Sequence, residues 1–500
     1  MKRKKYIQAI AVAAAVALFF VSGCAAPGYH SSGQNAVYPY AYNAYPTGEQ
    51  YLSIDENPFV STASQASIAL SLKIDTAAYS NVERYIQNGQ LPPADAVRTE
   101  ELLNYFQYEQ PLAFIGDSPF ASYIEIGPSP FDPAKSLAFV RVKTRNLYTA
   151  ALPPCNFTFL IDISGSMASY DKLPLIQQSL SLLADTLRDQ DRLSIVTYAG
   201  TSAVVLQNVP GSEKDTIKAA IAGLQAGGST NGAGGIETAY QLAEDSFMPD
   251  GNNRVILATD GDFNVGPSGD DALAALISQK RDSGIYLSIL GFGTGNLRDD
   301  LMETLSKDGN GNYNYINSLD AARKVLIDEM SATLYTVAKD VKAQVTFNPA
   351  AVESYRLIGY ENRQLTGEQF QNPATDAGEI GAGADTVMLF EIQFKRSPAR
   401  GDDLFTLQVH YKDPATNQSR SFSAATTGAN ISQTPSSDFN FASSVTIFCH
   451  LLRGSPYTGQ ATLAQAETLA SESLGADPGG WRAGYMELLR QYGNLMEQQT

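Results

Sequence analysis

The sequence is poor in the residues that build disulfide scaffolds, zinc sites and histidine-based catalytic centres. Its 500 residues include three cysteines, three histidines and one tryptophan. A disulfide framework needs many cysteines in a short chain, and structural zinc sites need four cysteine or histidine ligands. Hydrophobic residues make up 44% of the chain and charged residues 17%, which excludes wholesale disorder. The composition therefore favours a globular protein of about two to four folding units.

Positive charge is also scarce. The chain carries 35 Lys and Arg against 52 Asp and Glu, for a net charge of −17. Four of the basic residues, at 2–5, lie in a segment that we expect to be cleaved, and their loss would take the chain to about −21 (−17 minus 4). Such a surface repels phosphate backbones, so we expect no nucleic-acid partner.

The N-terminus predicts an export signal followed by a lipid anchor. The basic stretch at 2–5 precedes an apolar stretch at 7–21, which is short for a membrane span and typical of a signal peptide. Val21-Ser22-Gly23-Cys24 follows and resembles a bacterial lipobox, in which the cysteine thiol receives diacylglycerol before cleavage. The resemblance implies a signal peptide at 1–23 and lipidation of Cys24; the alternative is an uncleaved anchor with an incidental cysteine.

These features predict a lipoprotein of the bacterial cell envelope. A diacylated and N-acylated cysteine carries more than one acyl chain, enough for stable membrane anchoring. Ala25, and not Asp, follows the cysteine, so the inner-membrane retention signal of enteric lipoproteins is absent. We therefore expect an outer-membrane location if the organism is Gram-negative, with the chain facing the periplasm or the exterior.

Composition and periodicity divide the rest of the chain into segments. Residues 24–60 are rich in Tyr, Pro, Gly, Ser and Asn without a helical or strand period, which predicts a flexible stalk; an aromatic segment that docks on the cell wall is the alternative. Residues 61–150 predict a small mixed segment of helices and strands. After residue 340, the pattern predicts an antiparallel β region at 341–430 and a helical region at 431–500.

Residues 151–340 alternate short apolar strands with helices. The strands are continuous apolar runs, and the helices between them have about 10–15 residues. This pattern predicts a doubly wound, mostly parallel α/β sheet. Ligands of such sheets bind outside the carboxyl ends of the strands.

Three polar motifs fall at that predicted edge. Asp162-Ile163-Ser164-Gly165-Ser166 comes directly after the buried strand 157–161, and Thr259-Asp260-Gly261 ends the strand at 255–258. The third motif, at 227–232, lies between two helices and supplies further hydroxyls. Taken alone, the Asp-x-Ser-x-Ser motif at 162–166 could be a helix N-cap cluster. Their agreement at one edge points to a single site.

Together the motifs resemble the metal-ion-dependent adhesion site of the von Willebrand factor type A domain. The resemblance implies a cation held by Asp162, Ser164, Ser166, Thr230 and Asp260. The hydroxyls would contact the cation, the carboxylates would hold it directly or through water, and Ser229 is the alternative to Thr230. An all-oxygen site of this kind suits Mg²⁺, with Mn²⁺ as a substitute. In this family the open coordination position takes a carboxylate from a protein partner, so we expect a docking site and no enzymatic activity.

The resemblance extends beyond this domain. Residues 74–82, 91–98, 355–363 and 376–383 look like segments of a bacterial lipoprotein subfamily, the YfbK-like group. It therefore covers the chain from about residue 60 to the end. The role of that subfamily is not settled, so the resemblance supplies no substrate and no named partner.

Other signals favour structural roles. The loop from Asp308 to Asn312 has calcium-loop spacing but lacks a glutamate at the twelfth position, so a tight turn is expected. The glycines around Glu379 predict turns, with a second site as the alternative. Cys155 and Cys449 lie beside apolar runs and are expected to pack as free thiols, with a disulfide as the alternative.

The runner-up function is an envelope hydrolase that acts through the C-terminal region and uses the type A domain for docking. The chain has no Gly-x-Ser-x-Gly elbow and no Walker-type phosphate loop. Its histidines, at 30, 410 and 450, lie in predicted stalk, strand and helix. These features disfavour a Ser–His hydrolase. A sensor whose ligand is the metal itself is a third possibility.

Overall fold

The computed structural model describes residues 42–44, 48–73, 75–146, 152–229, 232–261, 269–330, 332 and 335–499. The predicted signal peptide, Cys24, most of the predicted stalk and Thr230 lie outside these ranges. In the part of the chain that is described, no helix is long and apolar enough to cross a membrane.

The described chain before the central domain contains six strands, with two α-helices between the fourth and fifth strands. The strands are β1 (Tyr42–Ala44), β2 (Gln50–Leu52), β3 (Val60–Ser61), β4 (Ser67–Ser71), β5 (Phe120–Pro128) and β6 (Ser136–Thr144). The helices are α1 (Ala77–Gln87) and α2 (Thr99–Asn104).

The central part alternates strands and helices, as its sequence predicts. Its strands are β7 (Cys155–Asp162), β8 (Arg192–Tyr198), β9 (Ser202–Pro210), β10 (Asn252–Thr259), β11 (Ile285–Phe292) and β12 (Asn310–Ile316). Its helices are α3 (Leu173–Thr186), α4 (Lys214–Ala222), α5 (Gly232–Asp245), α6 (Gly269–Asp282), α7 (Asp299–Asp308) and α8 (Leu319–Arg323). Helix α8 is short and continues as one π-helical turn, Lys324–Asp328.

The remaining chain is first β and then helical. Its strands are β13 (Thr336–Phe347), β14 (Val352–Ile358), β15 (Gln364–Leu365), β16 (Ile380–Gly381), β17 (Asp385–Phe394), β18 (Asp403–Lys412) and β19 (Ser419–Thr427). Its helices are α9 (Gly367–Gln371), α10 (Ser437–Arg453), α11 (Leu463–Ser471) and α12 (Trp481–Gln499).

The central sheet has the doubly wound architecture that the sequence predicts. Its strand order is β12-β11-β10-β7-β8-β9, parallel except for the antiparallel edge strand β9. Every residue of β7 is buried, since helices cover both faces of the sheet. Ile161 packs in the layer that contains Ile176 of α3, whereas Leu160 packs in the opposite layer with Tyr240 of α5. The carboxyl ends of β7 and β10 therefore meet at one edge.

Strands from before and after the central domain combine into two further sheets. In one sheet β4 pairs with β13, and in the other β6 pairs with β17, all antiparallel. The sequence indicated separate segments at 61–150 and 341–430 and did not predict this pairing. A few strands from one segment cannot form a stable hydrophobic core alone, so strands of 61–150 pair with strands of 341–430.

The helices expected after residue 430 are present and pack on α1 and α2. Their shared cluster is rich in aromatic rings, and Phe106 touches both Phe441 and Tyr485 edge to face, with ring centroids 4.8 and 5.6 Å apart. Tyr79 and Tyr105 stack at 3.8 Å in the same cluster. The first and last parts of the described chain thus share one core.

The prediction of a flexible stalk up to residue 60 is wrong for its last residues. Tyr51 is fully buried and Leu52 is 7% exposed. Gln50 donates its backbone N–H to the carbonyl of Leu297, in the loop before α7. The aromatic and apolar residues that lack a sequence period here are packed individually against the folded body, which periodicity cannot indicate.

Candidate metal centre

The site begins where β7 leaves the central sheet. Asp162 is the last residue of β7 and is fully buried. Its Oδ1 accepts a hydrogen bond from the backbone N–H of Ser164 at 2.8 Å, which shapes the turn after the strand. Its Oδ2 is buried and accepts no hydrogen bond of ordinary geometry from the described residues. A buried carboxylate oxygen in this state is costly, so the atom favours a positively charged ligand.

Two serine hydroxyls lie beside this carboxylate. The Oγ atoms of Ser164 and Ser166 are 3.0 Å apart, on a 3-10 turn that spans Gly165–Ala168. Ser164 is buried and Ser166 is exposed. The two hydroxyls therefore lie between the buried carboxylate and the protein surface. Hydroxyl oxygens of this kind are suitable ligands for hard cations.

A glycine loop between α4 and α5 is held against the same turn. The Gly227 N–H donates to the carbonyl of Ile163 at 2.7 Å. The Gly165 N–H donates to the carbonyl of Gly228 at 3.0 Å. Gly228 has a φ of +87°, a conformation that favours glycine. Thr230 lies outside the described residues, so its role as a ligand stays a prediction.

Asp260 reaches the site from the neighbouring strand. It directly follows β10 and is fully buried. In the parallel pairing of β10 with β7, Ala258 lies opposite Ile161. Both aspartates therefore project from adjacent strand ends at the same edge, as the sequence predicts for this pair.

The negative charges of Asp162 and Asp260 repel each other, and this affects the pKa of Asp162. Burial, together with the negative charge of Asp260, raises the pKa of Asp162 to about 6, against the hydrogen bonds from Ser164 that lower it. An ionised carboxylate that is destabilised by burial and by a like charge gains strongly when a cation arrives.

Sequence reasoning missed a basic residue at this site. Lys172 directly precedes α3, and its Nζ lies 2.7 Å from Oδ2 of Asp260. The side chains of both residues are nearly inaccessible, at 9% and 0% exposure. A lysine at the start of the helix that follows the Asp162 motif was the available signal, because that helix begins at the same sheet edge.

Exposed apolar side chains occur in the loop after the serine turn and on the edge strand β9. Tyr170, between the serine turn and α3, is 86% exposed. The edge strand β9 contains no charged residue, and its Val204 and Val205 are 47% and 37% exposed. Of these side chains, Tyr170 lies nearest in the chain to the serine turn and is the most exposed.

The residues present fit a hard divalent cation. Two carboxylates, one with an unsatisfied buried oxygen, and two adjacent hydroxyls form an all-oxygen donor set. In the described ranges no group of three or more His, Cys, Asp or Glu side chains could hold a metal ion. A cation at this edge would therefore depend on the hydroxyls as well as on the aspartates.

The other segments that the sequence singles out have structural roles. Helix α7 ends at Asp308, and Asn310 opens β12 with a φ of +48°, so the predicted tight turn is confirmed. Gly378 and Gly383 both have a φ of +81°, as turns require. Between them, Oε1 of Glu379 accepts a hydrogen bond from Nδ2 of Asn310 at 3.1 Å.

The two cysteines after Cys24 are free thiols in separate cores. Cys155 belongs to the core between the central sheet and α3, and Cys449 to the aromatic cluster of α10. Burial raises the pKa of Cys155 to about 11 and that of Cys449 to about 12. The prediction of packed single thiols is confirmed.

Comparison with known proteins identifies related sequences along the whole described chain. The family model "von Willebrand factor type A domain" matches residues 156–328, "von Willebrand factor" matches 45–139, and "Uncharacterized protein YfbK, C-terminal" matches 332–495. The chain is 41% identical over 469 residues to the uncharacterized protein YfbK of Escherichia coli (strain K12), which covers 89% of this chain and 81% of that protein.

More distant proteins are similar to parts of the chain. The chain is 27% identical over 280 residues to human inter-alpha-trypsin inhibitor heavy chain H4, covering 53% of this chain and 26% of that protein. Among solved structures, a von Willebrand factor type A protein from Catenulispora acidiphila is similar with a TM-score of 0.44 and 18% identity, covering 75% of this chain and 91% of that chain.

Proposed function

Since the chain belongs to the YfbK family of von Willebrand factor type A proteins, we propose that its type A domain docks a protein partner through a divalent cation at the bacterial cell envelope. The observation that carries this proposal is the buried Oδ2 of Asp162, which accepts no hydrogen bond of ordinary geometry from the described residues and lies beside two hydroxyls and a second carboxylate. A structural cap cluster would use such an oxygen for backbone N–H groups. A cation satisfies it instead.

The cation is Mg²⁺, with Mn²⁺ as a substitute. Asp162 and Asp260 supply charge, and Ser164, Ser166 and Thr230 supply hydroxyl oxygens. Oxygen ligands with few formal charges suit these ions better than zinc or copper, which prefer imidazole and thiolate. Such a donor set leaves room in the coordination shell for a carboxylate of the partner.

The surface around the centre supports docking. Tyr170 offers an exposed aromatic ring beside the serine turn, and Val204 and Val205 line the uncharged edge strand β9. Exposed aromatic side chains at the centre of an interface contribute disproportionately to affinity. The partner is therefore a protein that combines an acidic side chain for the cation with apolar contacts at the rim.

The domain acts without catalysing a reaction. The described histidines are held by aromatic rings: His450 packs against Phe131 at 4.5 Å, and His410 stacks on Phe370 at 4.4 Å. Burial lowers the pKa of His450 to about 3, which leaves it unable to shuttle protons near neutral pH. These contexts favour docking over the hydrolase alternative.

Lipidation of Cys24 would hold this domain at the membrane. Cys24→Ala is expected to abolish lipid labelling and to leave an unprocessed or released protein. Cys449→Ala serves as the control, since it removes a buried thiol and leaves the lipobox intact. Membrane retention and labelling of the Cys24 variant at the wild-type level would contradict the proposed anchor without affecting the docking proposal.

Metal-dependent stabilisation tests the central proposal. Mg²⁺ at millimolar concentration should raise the melting temperature of the wild-type protein, because a ligand that binds only the folded state stabilises it. Asp260→Ala and Ser164→Ala should remain folded and lose this response. Asp282→Ala, which removes an exposed carboxylate of α6 in the same domain, should keep it.

Partner capture completes the test. Wild-type protein should retain envelope proteins in a pull-down with Mg²⁺ and lose them with chelator, whereas the Asp260 variant should retain none under either condition. If calorimetry detects no Mg²⁺ or Mn²⁺ binding to the wild type at millimolar concentration, the constellation is a cap cluster and the proposal fails.

A further inference from the structure

The ion pair between Lys172 and Asp260 affects which ligands the metal centre binds. Lys172 Nζ is 2.7 Å from Asp260 Oδ2, and both residues are buried. Any cation that Asp260 holds must share this carboxylate with an ammonium group. The lysine is therefore part of the electrostatics of the centre even though it cannot ligate a metal in its charged form.

The position of the lysine is built into the fold. Gly293 follows β11 with a φ of +71°, and a Cβ added there would lie 2.4 Å from both Cγ and Cε of Lys172. Because Gly293 has no side chain, the side chain of Lys172 can occupy this space and extend to Asp260. The hydroxyl of Tyr315 donates to the carbonyl of Gly293 at 2.5 Å and holds that backbone in place.

A charge count shows what the lysine changes. Two carboxylates and a divalent cation alone sum to zero. With the ammonium of Lys172 the loaded centre carries one net positive charge, and a single carboxylate from outside returns it to zero. Uncompensated charge at a poorly hydrated site is costly, so the loaded centre needs an anionic ligand more than a centre without the lysine would.

We propose that Lys172 is a positioning residue that weakens binding of the cation alone and makes the loaded centre select a carboxylate-bearing partner. This inference rests on the proposed function, since it concerns the same centre. Cation and carboxylate then bind cooperatively, because each one relieves the charge imbalance that the other meets. The domain stays weakly loaded until an acidic partner arrives.

Titration with Mn²⁺ in the presence and absence of acetate tests the proposal on the full folded chain. Acetate should tighten Mn²⁺ binding to the wild type. Lys172→Met should bind Mn²⁺ alone roughly tenfold more tightly, the effect that one charge a few ångströms away has on an equilibrium constant. In that variant acetate should add little. Lys218→Met is the matched control, because it removes an exposed lysine paired with Asp185 in the same domain.

The direction of the change separates an electrostatic role from a structural one. If the lysine only supported the fold, Lys172→Met would weaken Mn²⁺ binding, and that result would overturn the inference. Gly293→Ala provides a second variant, because it displaces the lysine side chain and keeps its charge in the protein. It should also tighten Mn²⁺ binding and reduce the acetate effect, with folding checked by circular dichroism.

The failure of the inference can be distinguished from the failure of the proposed function. Equal Mn²⁺ affinities and equal acetate effects in the wild type and both variants would leave the metal centre in place and overturn the role of Lys172. No Mn²⁺ binding to the wild type but clear binding to Lys172→Met would overturn the proposed function, and would show that the lysine excludes the cation.

Discussion

Tyr170 is the residue whose exposure is hardest to explain by folding alone. Its side chain is 86% exposed, although it lies between the buried Met167 and the buried Lys172. An aromatic ring in water gains nothing for stability, and rings in this position gain much when a partner covers them. The sequence places the tyrosine in the loop but cannot show that the ring is left uncovered.

Replacement of this ring should separate docking from metal binding. Tyr170→Ala is expected to weaken partner capture by about fivefold or more, since loss of an aromatic interface contact of this kind costs at least about 1 kcal/mol. Mg²⁺ stabilisation should be unchanged, because no ligand is altered. Ile115→Ala, at another exposed apolar position, is the control. Unchanged capture by the Tyr170 variant would place the docking surface elsewhere.

The thiols make a second prediction at the scale of single residues. Burial raises the pKa of Cys155 to about 11 and that of Cys449 to about 12, so neither forms a thiolate near neutral pH. Protein without Cys24 should therefore show no rapidly reacting thiol at pH 8 in its native state. Two thiols should titrate after denaturation without reductant. Zero thiols in the denatured sample would reveal a disulfide.

At the scale of elements, β2 is fixed to the loop that precedes α7 in the central domain, since Gln50 donates to the carbonyl of Leu297. Glu49 precedes β2, and its carboxylate accepts hydrogen bonds from Nη1 and Nη2 of Arg84 at 2.8 and 2.9 Å. The hydroxyl of Tyr51 and the N–H of Gly295 also donate to it, at 2.7 and 3.1 Å. This one carboxylate thus fastens the incoming chain to α1 and to the loop that follows β11.

Loss of this carboxylate should release the strand. Burial by itself would raise the pKa of Glu49, but the pairing with Arg84 and the bonds from Tyr85 and Tyr51 lower it to about 2. Its stabilisation is therefore present above pH 4.5 and is lost as the pH falls from 4.5 towards 2. Glu49→Gln should cost about 3 kcal/mol by leaving Arg84 buried without its partner.

Hydrogen exchange can localise this effect. Amides of Gln50–Leu52 should exchange faster in Glu49→Gln than in the wild type, with little change in the interior of β7. Glu487→Gln, which alters a side chain that is 56% exposed, should leave these amides unaffected. Global acceleration would mean that β2 opens only when the whole protein unfolds.

The elements also show which features a single sequence can reveal. Strands β7 and β10 are predictable because continuous apolar runs mark strands that are buried on both faces. The polar residues that end them are predictable for the same reason, since the edge of such a sheet follows from its strands. The pairing of β4 with β13 is not, because nothing local in Ser67–Ser71 indicates a partner more than 250 residues away. For Lys172 the sequence indicates a position near the same edge, since it precedes the helix that follows the Asp162 motif, but its contact with Asp260 is made across the fold and was not predicted.

At the scale of the whole molecule, a buried ion cluster joins the three parts of the described chain. Its members are Lys73, Asp75, Arg98, Glu101, Asp299, Glu303 and Arg363. Arg98 contacts Asp299 of α7 at 2.5 Å and Glu101 of α2 at 2.7 Å. Arg363, which precedes β15, contacts Asp75 at 2.7 Å. Because every member is buried, the pairs depend on each other for charge compensation.

Cooperative unfolding should depend on this cluster. Removing one ion from a buried network costs about 3–5 kcal/mol, because its partners stay behind without compensation. Arg98→Met leaves Asp299 and Glu101 buried without their cation and removes one of the links between the N-terminal part and the central domain. The free energy of unfolding should fall by that amount. Arg490→Met, at a position that is 63% exposed, should change it little.

The single tryptophan makes the loss of coupling measurable. Trp481 lies at the start of α12 and reports on the aromatic cluster of the terminal helices, whereas far-ultraviolet circular dichroism reports on all elements. The two signals should follow one transition in the wild type, because the ion cluster and the shared sheets make the parts unfold together. In Arg98→Met they should separate, since the central domain has its own doubly wound core and can stay folded alone. Coincident transitions in that variant would show that the shared sheets suffice for coupling and that the ions contribute stability only.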